Sequence, residues 1–316
     1  MERIDVHNHV VPENYVRLLK ELGDPNGSHV PEWSVALLRT FMKDHDVRRA
    51  LLTLSAPGTT ITKGAQSVEF AREVNEALAQ IRDSDPDSFG FFASIPPLTQ
   101  KDDALAEIRY ALDTLQADGV IFFTRYGNDS HYLGHPDFAE IWDELDKRHA
   151  VAFIHPTGGL NVEPAGRGLS VAVVDFPHET TRTALDLIVS NTVRNHPNVK
   201  IILPHAGGTL PYIIQRPAIV LPGFGVPKSS EEIVEDARAF YYDTALSTGS
   251  DTLKLLTSFA KPDHILYGSD FPYAPRGVAK HFNNQLDAFQ GPEENTLRNI
   301  NHDNALKLFP RFAKST

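Results

Sequence analysis

Histidine and aspartate side chains stand at the ends of several short apolar runs, where they could share one cation. Successive side chains of Arg3–His9 alternate between two faces, so His7 and His9 point to the same side as Asp5. The two imidazoles can therefore converge on one ion, while Asp5 lies one layer lower and can support the ligands. Three later runs end in further candidate ligands: His155, His205 and Asp270. This arrangement of imidazole and carboxylate groups predicts a divalent-metal site.

The elements that position these groups follow from the hydrophobic pattern. Eight apolar runs are predicted as strands: Arg3–His7, Arg49–Ser55, Phe89–Ile95, Gly119–Thr124, Val151–His155, Val199–His205, Phe240–Ala245 and His264–Ser269. Stretches with helical spacing separate them, among them Val68–Arg82, Asp102–Leu115, Pro136–His149, Thr180–Asn195 and Asp251–Ala260. The alternation predicts an α/β fold, a closed (β/α)8 TIM barrel in which strand-end side chains face the mouth. An open, doubly wound sheet is the alternative that periodicity leaves open.

We expect a single domain over residues 1–316, without internal repeats. Two segments containing Pro and Gly are predicted as loop insertions in the barrel. One is Val10–Pro31, after the first strand, and the other is Leu221–Glu235, between the sixth and seventh strands. With 316 residues the chain is long enough to bury a core without covalent cross-links.

Composition excludes several classes of function. The chain has 30 Lys+Arg and 41 Asp+Glu, so its net charge of −11 argues against a nucleic-acid partner. It has no cysteine, which excludes a disulfide scaffold, a thiolate zinc site and a cysteine nucleophile. No apolar run approaches about 18 residues, the length of a membrane-spanning helix. We therefore expect no membrane association, and the absence of a signal-peptide pattern favours a cytoplasmic protein.

The candidate ligands stand in motifs that resemble those of the amidohydrolase superfamily. The motifs are Asp5–His9 (DVHNH), Phe153–Pro156 (FIHP), Pro204–Gly208 (PHAGG) and Gly268–Pro272 (GSDFP). Within the superfamily the chain is similar to the metal-dependent, non-oxidative decarboxylases related to aminocarboxymuconate semialdehyde decarboxylase. The stretch Asp175–Arg182, together with the HAGG block, most resembles fungal 6-methylsalicylate decarboxylases.

This resemblance implies roles for individual residues. His7, His9, His155 and Asp270 would be the metal ligands, and His205 would stand beside the metal as acid or base. Two-metal members of the superfamily need a bridging lysine at the end of strand 4, and Gly119–Arg125 offers none, so one divalent ion is expected. Three imidazoles and one carboxylate suit Zn²⁺. Some decarboxylase relatives place Glu at the first ligand position and use manganese, whereas this chain has His7 there, so zinc is favoured and Mn²⁺ remains open.

The implied reaction is loss of CO₂ from a salicylate-type aromatic acid, and our best candidate is conversion of 6-methylsalicylate to m-cresol. The ring carbon that bears the carboxylate would take up a proton from His205 or from Asp270. Metal-dependent hydrolysis of a lactone or an amide requires the same ligands and is the main alternative. A non-catalytic barrel is a second alternative, but it predicts the loss of a ligand, and no ligand is missing.

An anionic aromatic substrate needs a cationic partner and an apolar wall. Arg216 is the first candidate for the cation. In similar decarboxylases an arginine at this place reaches into the neighbouring subunit's site, which implies a homodimer. Weaker candidates for the cation are Arg125 and Arg276. The aromatic wall is predicted from three side chains that follow strand ends: Phe176, Phe271 and Tyr273.

Two smaller expectations concern the backbone near the mouth. We place Phe176 and His178 on the loop after the fifth strand, where His178 could touch a ligand. Gly207 and Gly208 follow His205 directly and predict a tight chain reversal rather than a phosphate-binding loop.

Overall fold

The computed structural model describes residues 1–23, 30–127, 131–158, 166 and 169–315. Part of the predicted insertion Val10–Pro31 therefore lies outside the described residues. The described strands are β1 (Arg3–Val10), β2 (Val47–Leu54), β3 (Phe89–Ser94), β4 (Gly119–Phe123), β5 (Arg125–Tyr126), β6 (His131–Tyr132), β7 (Val151–His155), β8 (Lys200–Leu203), β9 (Tyr241–Asp243) and β10 (Ile265–Leu266).

Eight of these strands form the barrel. They lie in chain order, β1-β2-β3-β4-β7-β8-β9-β10, and each strand is parallel to its neighbours in this order, while β5 and β6 form a separate antiparallel pair. All eight predicted strands are present. Periodicity succeeded here because each barrel strand is buried on both faces and reads as a short apolar run.

The first and last strands meet through the backbone. Val6 N donates to Tyr267 O at 3.0 Å, His9 N donates to Phe271 O at 2.7 Å, and Asp270 N donates to His7 O at 2.9 Å. These bonds join the two edges of the sheet, so the fold is the expected TIM barrel and the open-sheet alternative was wrong. They also place Asp270 beside the ligands of β1.

Helices surround the strands and occupy the segments between them. The α-helices are α1 (Glu13–Leu22), α2 (Val35–Asp44), α3 (Ala65–Ser84), α4 (Lys101–Arg109), α5 (Ala139–Lys147), α6 (Val171–Val189), α7 (Thr192–Asn195), α8 (Leu210–Ile213), α9 (Gln215–Val220), α10 (Ser230–Ala239), α11 (Ser250–Phe259), α12 (Arg276–Ala288), α13 (Thr296–Arg298) and α14 (Asn304–Leu308). Short 3₁₀ or π turns are Gly58–Ile61, Tyr110–Thr114, Pro136–Phe138, His205–Gly207, Leu221–Phe224, Pro262–His264, Asn299–Asp303 and Pro310–Ser315. Within the described ranges, we find no helix long and apolar enough to cross a membrane.

Two local expectations need correction. The segment Asp175–His178 is not a loop after the fifth barrel strand, because α6 begins at Val171 and includes Pro177. The break between the sixth and seventh barrel strands is also shorter than Leu221–Glu235. Ser229 accepts a hydrogen bond from Glu232 N and forms a capping box that starts α10 at Ser230.

Aromatic side chains fill the barrel interior below the mouth. The rings of Phe92 and Phe153 stack with centroids 5.5 Å apart, and the ring of His7 packs edge-on against Phe153 at 5.0 Å. A filled interior leaves polar side chains room only at the carboxyl ends of the strands. The layer that begins at His7 is therefore where chemistry can occur.

Arg3 ties the opposite end of the barrel to the rest of the chain. Its buried guanidinium donates to Asn301 Oδ1 at 2.9 Å, to His45 O at 2.8 Å and to Asp287 Oδ1 at 2.5 Å. These partners belong to segments far apart in sequence, so one side chain joins the start of β1 to the C-terminal helices and to the end of α2.

We predict that Arg3→Met lowers the free energy of unfolding by about 2–3 kcal/mol, because it leaves buried polar atoms without partners. The change is read from the midpoint of urea unfolding. The exposed Arg48, replaced in the same way, is the control and should shift stability by no more than about 0.5 kcal/mol. Equal midpoints for the two variants would contradict the role given to Arg3.

Candidate metal centre

The structure brings the four predicted ligands together at the mouth of the barrel. His7 and His9 lie in β1, His155 ends β7, and Asp270 follows β10. All four residues are buried, and one ligand atom from each lies within 4.8 Å of the others. Strands far apart in sequence therefore contribute donors to one point.

The distances between donors are those expected around a single small ion. His7 Nε2 lies 3.0 Å from His9 Nε2, and Asp270 Oδ1 lies 3.5 Å from His7 Nε2 and 3.2 Å from His9 Nε2. Ligands of a tetrahedral zinc ion, with bonds of about 2.0–2.2 Å, are about 3.3 Å apart. The donor set thus fits a transition-metal ion without rearrangement of the strands.

Each ligand histidine is anchored through Nδ1. His7 Nδ1 donates to Asp243 Oδ2 at 2.8 Å, and His155 Nδ1 donates to the carbonyl of Pro156 at 2.8 Å. The Thr53 hydroxyl donates to Asn8 O at 3.1 Å, so His9 Nδ1 donates to Thr53 Oγ1 at 2.8 Å. These acceptors fix the tautomers, because a neutral imidazole that donates from Nδ1 keeps a bare Nε2.

The charges of the site favour a bound cation. Burial lowers the pKa of His9 to about 4 and holds the pKa of His155 well below its usual range. Burial also opposes ionisation of Asp270, but its contacts with His9 and His7 outweigh that effect and keep its pKa well below the usual range. Neutral His9 and His155 beside an ionised Asp270 are the protonation states that a metal ion requires. Burial also opposes protonation of His7, but its contact with Asp243 and the nearby Asp270 outweigh burial and raise the pKa of His7, so binding of an ion there would release a proton.

Asp270 is held in an uncommon backbone conformation. Its φ is 59°, in the left-handed region that few residues other than glycine adopt. The bonds from Asp270 N to His7 O and from Ala274 N to Asp270 O stabilise this turn. Strain of this kind persists where the surrounding structure compensates for it, and here it turns the carboxylate toward β1.

His205 lies beside the ligands rather than among them. Its ring centroid is 4.9 Å from that of His7, and its Nδ1 donates to the carbonyl of Ala245 at 3.0 Å. This bond leaves Nε2 as the nitrogen available to a substrate. Burial lowers the pKa of His205, although the nearby carboxylates partly offset the effect.

The chain reversal predicted after His205 is confirmed. Gly207 and Gly208 both have positive φ, and a Cβ at Gly208 would collide with the carbonyl of Pro177 in α6. The reversal lets the chain leave β8 steeply while His205 stays at the mouth.

Asp243, at the end of β9, is the main site residue that sequence reasoning missed. Its Oδ2 accepts from His7, and its Oδ1 accepts from the backbone N of His205 and of Ala245, both at 2.9 Å. One buried carboxylate therefore orients the predicted ligand His7 and the segment that carries His205. The signal was present, since Asp243 sits in the predicted buried strand Phe240–Ala245, and a carboxylate there requires partners.

Asp5 lies inward below the ligands, as its place in the strand predicted. It accepts hydrogen bonds from the backbone N of His7 and of Ser269, and from the side chains of Asn8 and Ser269. Burial raises the pKa of Asp5 to about 6, and these bonds oppose the rise. Asp5 therefore supports the ligands through the ends of β1 and β10, not through an imidazole.

The predicted aromatic wall is only partly at the mouth. Phe176 in α6 packs edge-on at 6.0 Å from the ring of His155, and Tyr273 lies 5.6 Å from the ring of His9. Phe271 instead packs on Phe41 of α2 at 4.6 Å, and its backbone pairs with β1. We therefore assign Phe271 to the core.

Among the described residues, none of the predicted cationic side chains is paired with one of the expected metal ligands. Arg216 and Arg276 are exposed on α9 and α12, and no ion pair to either is found among the described residues. Arg125 donates to the carbonyl of Gly158 at 2.7 and 3.0 Å. His178 is exposed on α6 and is not part of the centre.

The comparisons with known proteins agree with this geometry. Residues 4–311 match the family described as amidohydrolase. The chain belongs to the amidohydrolase family. The 6-methylsalicylic acid decarboxylase of Penicillium expansum is 45% identical over 318 residues, which cover 99% of this chain and 97% of the relative.

More distant relatives of this amidohydrolase-family chain extend the same similarity. The gamma-resorcylate decarboxylase of Rhodococcus jostii is 25% identical over 284 residues and 85% of each chain. A crystal structure described as an amidohydrolase II has a TM-score of 0.90 at 30% identity, covering 98% of this chain and 100% of that one. The expected superfamily and barrel are confirmed.

We predict that Asp243→Asn weakens metal binding about 10- to 100-fold, because the neutral amide no longer fixes the His7 tautomer. Competition with a chelator of known affinity measures the change. Asp251→Asn is the matched control, since Asp251 is fully exposed on α11. An affinity equal to that of the control would show that Asp243 does not orient His7.

Proposed function

We propose that this protein catalyses metal-dependent, non-oxidative decarboxylation of a salicylate-type aromatic acid, with 6-methylsalicylate to m-cresol and CO₂ as the best candidate. The observation that carries the proposal is the convergence of His7, His9, His155 and Asp270 with His205 beside them. The 45% identity to a 6-methylsalicylic acid decarboxylase over nearly the whole of both chains supports the substrate class.

The proposed cofactor is one divalent ion, zinc in preference to manganese. Three imidazoles and one carboxylate suit zinc, whereas manganese prefers more oxygen ligands. The end of β4 supports a single ion, because Phe123 and Thr124 stand where a bridging lysine would be needed. When bound, the ion would supply a positive charge that attracts and orients the carboxylate and the adjacent phenol oxygen of the substrate.

The proton required by the reaction is assigned to His205. Loss of CO₂ breaks the bond between the ring and the carboxylate carbon, and a proton must take its place on that ring carbon. Asp270 is engaged by His7 and His9 at 3.5 and 3.2 Å. His205 is held only through Nδ1 and the backbone, so its Nε2 can take up a proton and deliver it to the ring.

The remaining contacts are proposed for the aromatic ring. Phe176 and Tyr273 flank the ligand histidines, so they can hold a flat substrate while the carboxylate faces the donors. Phe123 also lies 6.3 Å from the ring of His155 and closes the side of β4. A Cβ at Gly58 would collide with Phe123, so glycine there keeps this ring in position.

We predict that the zinc-loaded protein releases CO₂ and m-cresol from 6-methylsalicylate, and that His205→Asn lowers this rate at least about 100-fold. Metal content should stay near that of the unsubstituted protein, because His205 is not a ligand. Chromatographic detection of m-cresol and elemental analysis give the two readings. Exposed His178→Asn is the control. Turnover of lactones or amides without m-cresol would favour the hydrolase, and parallel loss of metal and activity would make His205 a ligand.

We further propose that the protein is a homodimer in which Arg216 serves the partner's site. Exposed apolar side chains surround Arg216 on the helical run Leu210–Phe224, and they are Tyr212, Ile219, Val220 and Phe224. Tyr212 and Phe224 are 80% and 82% exposed, which is unusual for large aromatic residues outside an interface. Contact between two copies of the chain through this surface would bury the exposed apolar side chains. The same contact would place Arg216 close to the barrel of the partner subunit.

We predict that Tyr212→Glu with Phe224→Glu converts a dimer into a monomer, measured by light scattering after size-exclusion chromatography. Leu37→Glu, on helix α2, should leave the dimer intact.

Mixing Arg216→Ala chains with His9→Ala chains tests whether Arg216 serves the site of the partner subunit. Heterodimers would regain one complete site and part of the activity. No recovery despite exchange of subunits would place Arg216 outside the partner's site.

A further inference from the structure

A second group of imidazole and carboxylate side chains lies outside the mouth. His131 is in β6, His135 precedes the turn Pro136–Phe138, and Asp137 lies within that turn. One ligand atom from each residue lies within 4.8 Å of the others. We propose that these three residues form an ancillary binding site for a divalent transition-metal ion.

The distances within this group, which we call the hairpin site, fit one shared ion. Asp137 Oδ2 lies 3.4 Å from His131 Nε2 and 3.6 Å from His135 Nδ1. These separations are close to the value of about 3.3 Å between ligands of a tetrahedral zinc ion. The two imidazole rings are already in contact, with centroids 3.8 Å apart and an angle of 49° between their planes.

The donors define the class of ion. Two imidazole nitrogens and one carboxylate oxygen suit zinc, cobalt or nickel rather than calcium or magnesium, which require mostly oxygen ligands. All three side chains are partly or largely exposed, so water can complete the coordination shell. His135 Nδ1 accepts a 3.2 Å hydrogen bond from Asp137 N that the ion would replace, which makes this site weaker than the buried one.

The location gives the hairpin site a structural consequence. In β5, which pairs with β6, Arg125 donates to the carbonyl of Gly158 in the segment that follows His155. Tyr132 donates to Glu179 of α6 at 2.9 Å, and the same helix carries Phe176. An ion bound at His131 and His135 would stabilise the β5–β6 pair. This pair contacts the segment that follows His155 through Gly158, and it contacts α6, whose Phe176 packs against His155.

Titration with Co²⁺, followed by visible absorption, tests the inference on the metal-free full-length chain. We expect two ions per chain, the second at least 10-fold weaker than the first, and an increase in melting temperature as the second binds. His131→Ala with His135→Ala should abolish the weaker event and keep the tighter one. Asp137→Asn should weaken only the second event. The exposed His178→Ala is the control and should bind as the unsubstituted chain does.

The result also separates this inference from the proposed function. Loss of the weaker event in the double variant supports the hairpin site whether or not the mouth binds metal. A single event in the unsubstituted chain that survives in the double variant would overturn it. Two events that both survive in the double variant would overturn it as well, because the second ion would then lie elsewhere.

Discussion

The hydrogen bond that each buried histidine donates from Nδ1 is the interaction on which the metal centre depends. His7 uses Asp243, His9 uses Thr53, and His155 uses the carbonyl that follows it. Without these acceptors, the proton of each neutral imidazole could sit on either Nδ1 or Nε2. The acceptors keep the proton on Nδ1, so three unprotonated Nε2 atoms face one carboxylate. A bound cation would stabilise this arrangement.

The barrel provides the rigidity for these bonds. The stacked rings of Phe92 and Phe153 fill the barrel interior beneath His7 and hold the side chains of the metal centre at the mouth. Backbone pairing between β1 and the segment after β10 fixes Asp270 against His7 and His9. One fold can host both hydrolysis and decarboxylation, so the reaction would depend on the side chains that surround the bound ion. Here these are His205, tied to Asp243 and Ala245, and two aromatic side chains.

The sequence predicted the strands and the groups at their ends correctly, because there the local hydrophobic pattern directly reflects burial in the folded chain. Buried parallel strands read as short apolar runs whose ends point to the mouth of the barrel, so the strand-end candidates could be grouped: His7, His9, His155, His205 and Asp270. The family resemblance then separated His205 from the four expected ligands. Sequence reasoning failed where a longer-range contact decides. Phe176 and His178 were expected on a loop, but they lie in α6, whose Pro177 carbonyl packs against the reversal at Gly208. Phe271 directly follows Asp270 and was expected in the aromatic wall, but its ring packs against Phe41 in the core.

Residue types and their spacing were thus enough for the eight strands, for the imidazole and carboxylate groups at their ends and for a metal site built from these groups, because periodicity and strand ends are properties of neighbouring residues. The choice of four ligands and the reaction came from the family resemblance, and the closure of the sheet into a barrel was decided by backbone bonds between its two edges. Only the folded chain could reveal that Asp243 serves His7 and His205 at once, since these residues are far apart in sequence and meet only when β1, β8 and β9 lie together. The hairpin site depends on a contact of shorter range, since His131 and His135 are four residues apart and a local turn of the chain brings their rings together. Contacts across the fold, which linear spacing does not encode, therefore decided the role of Asp243.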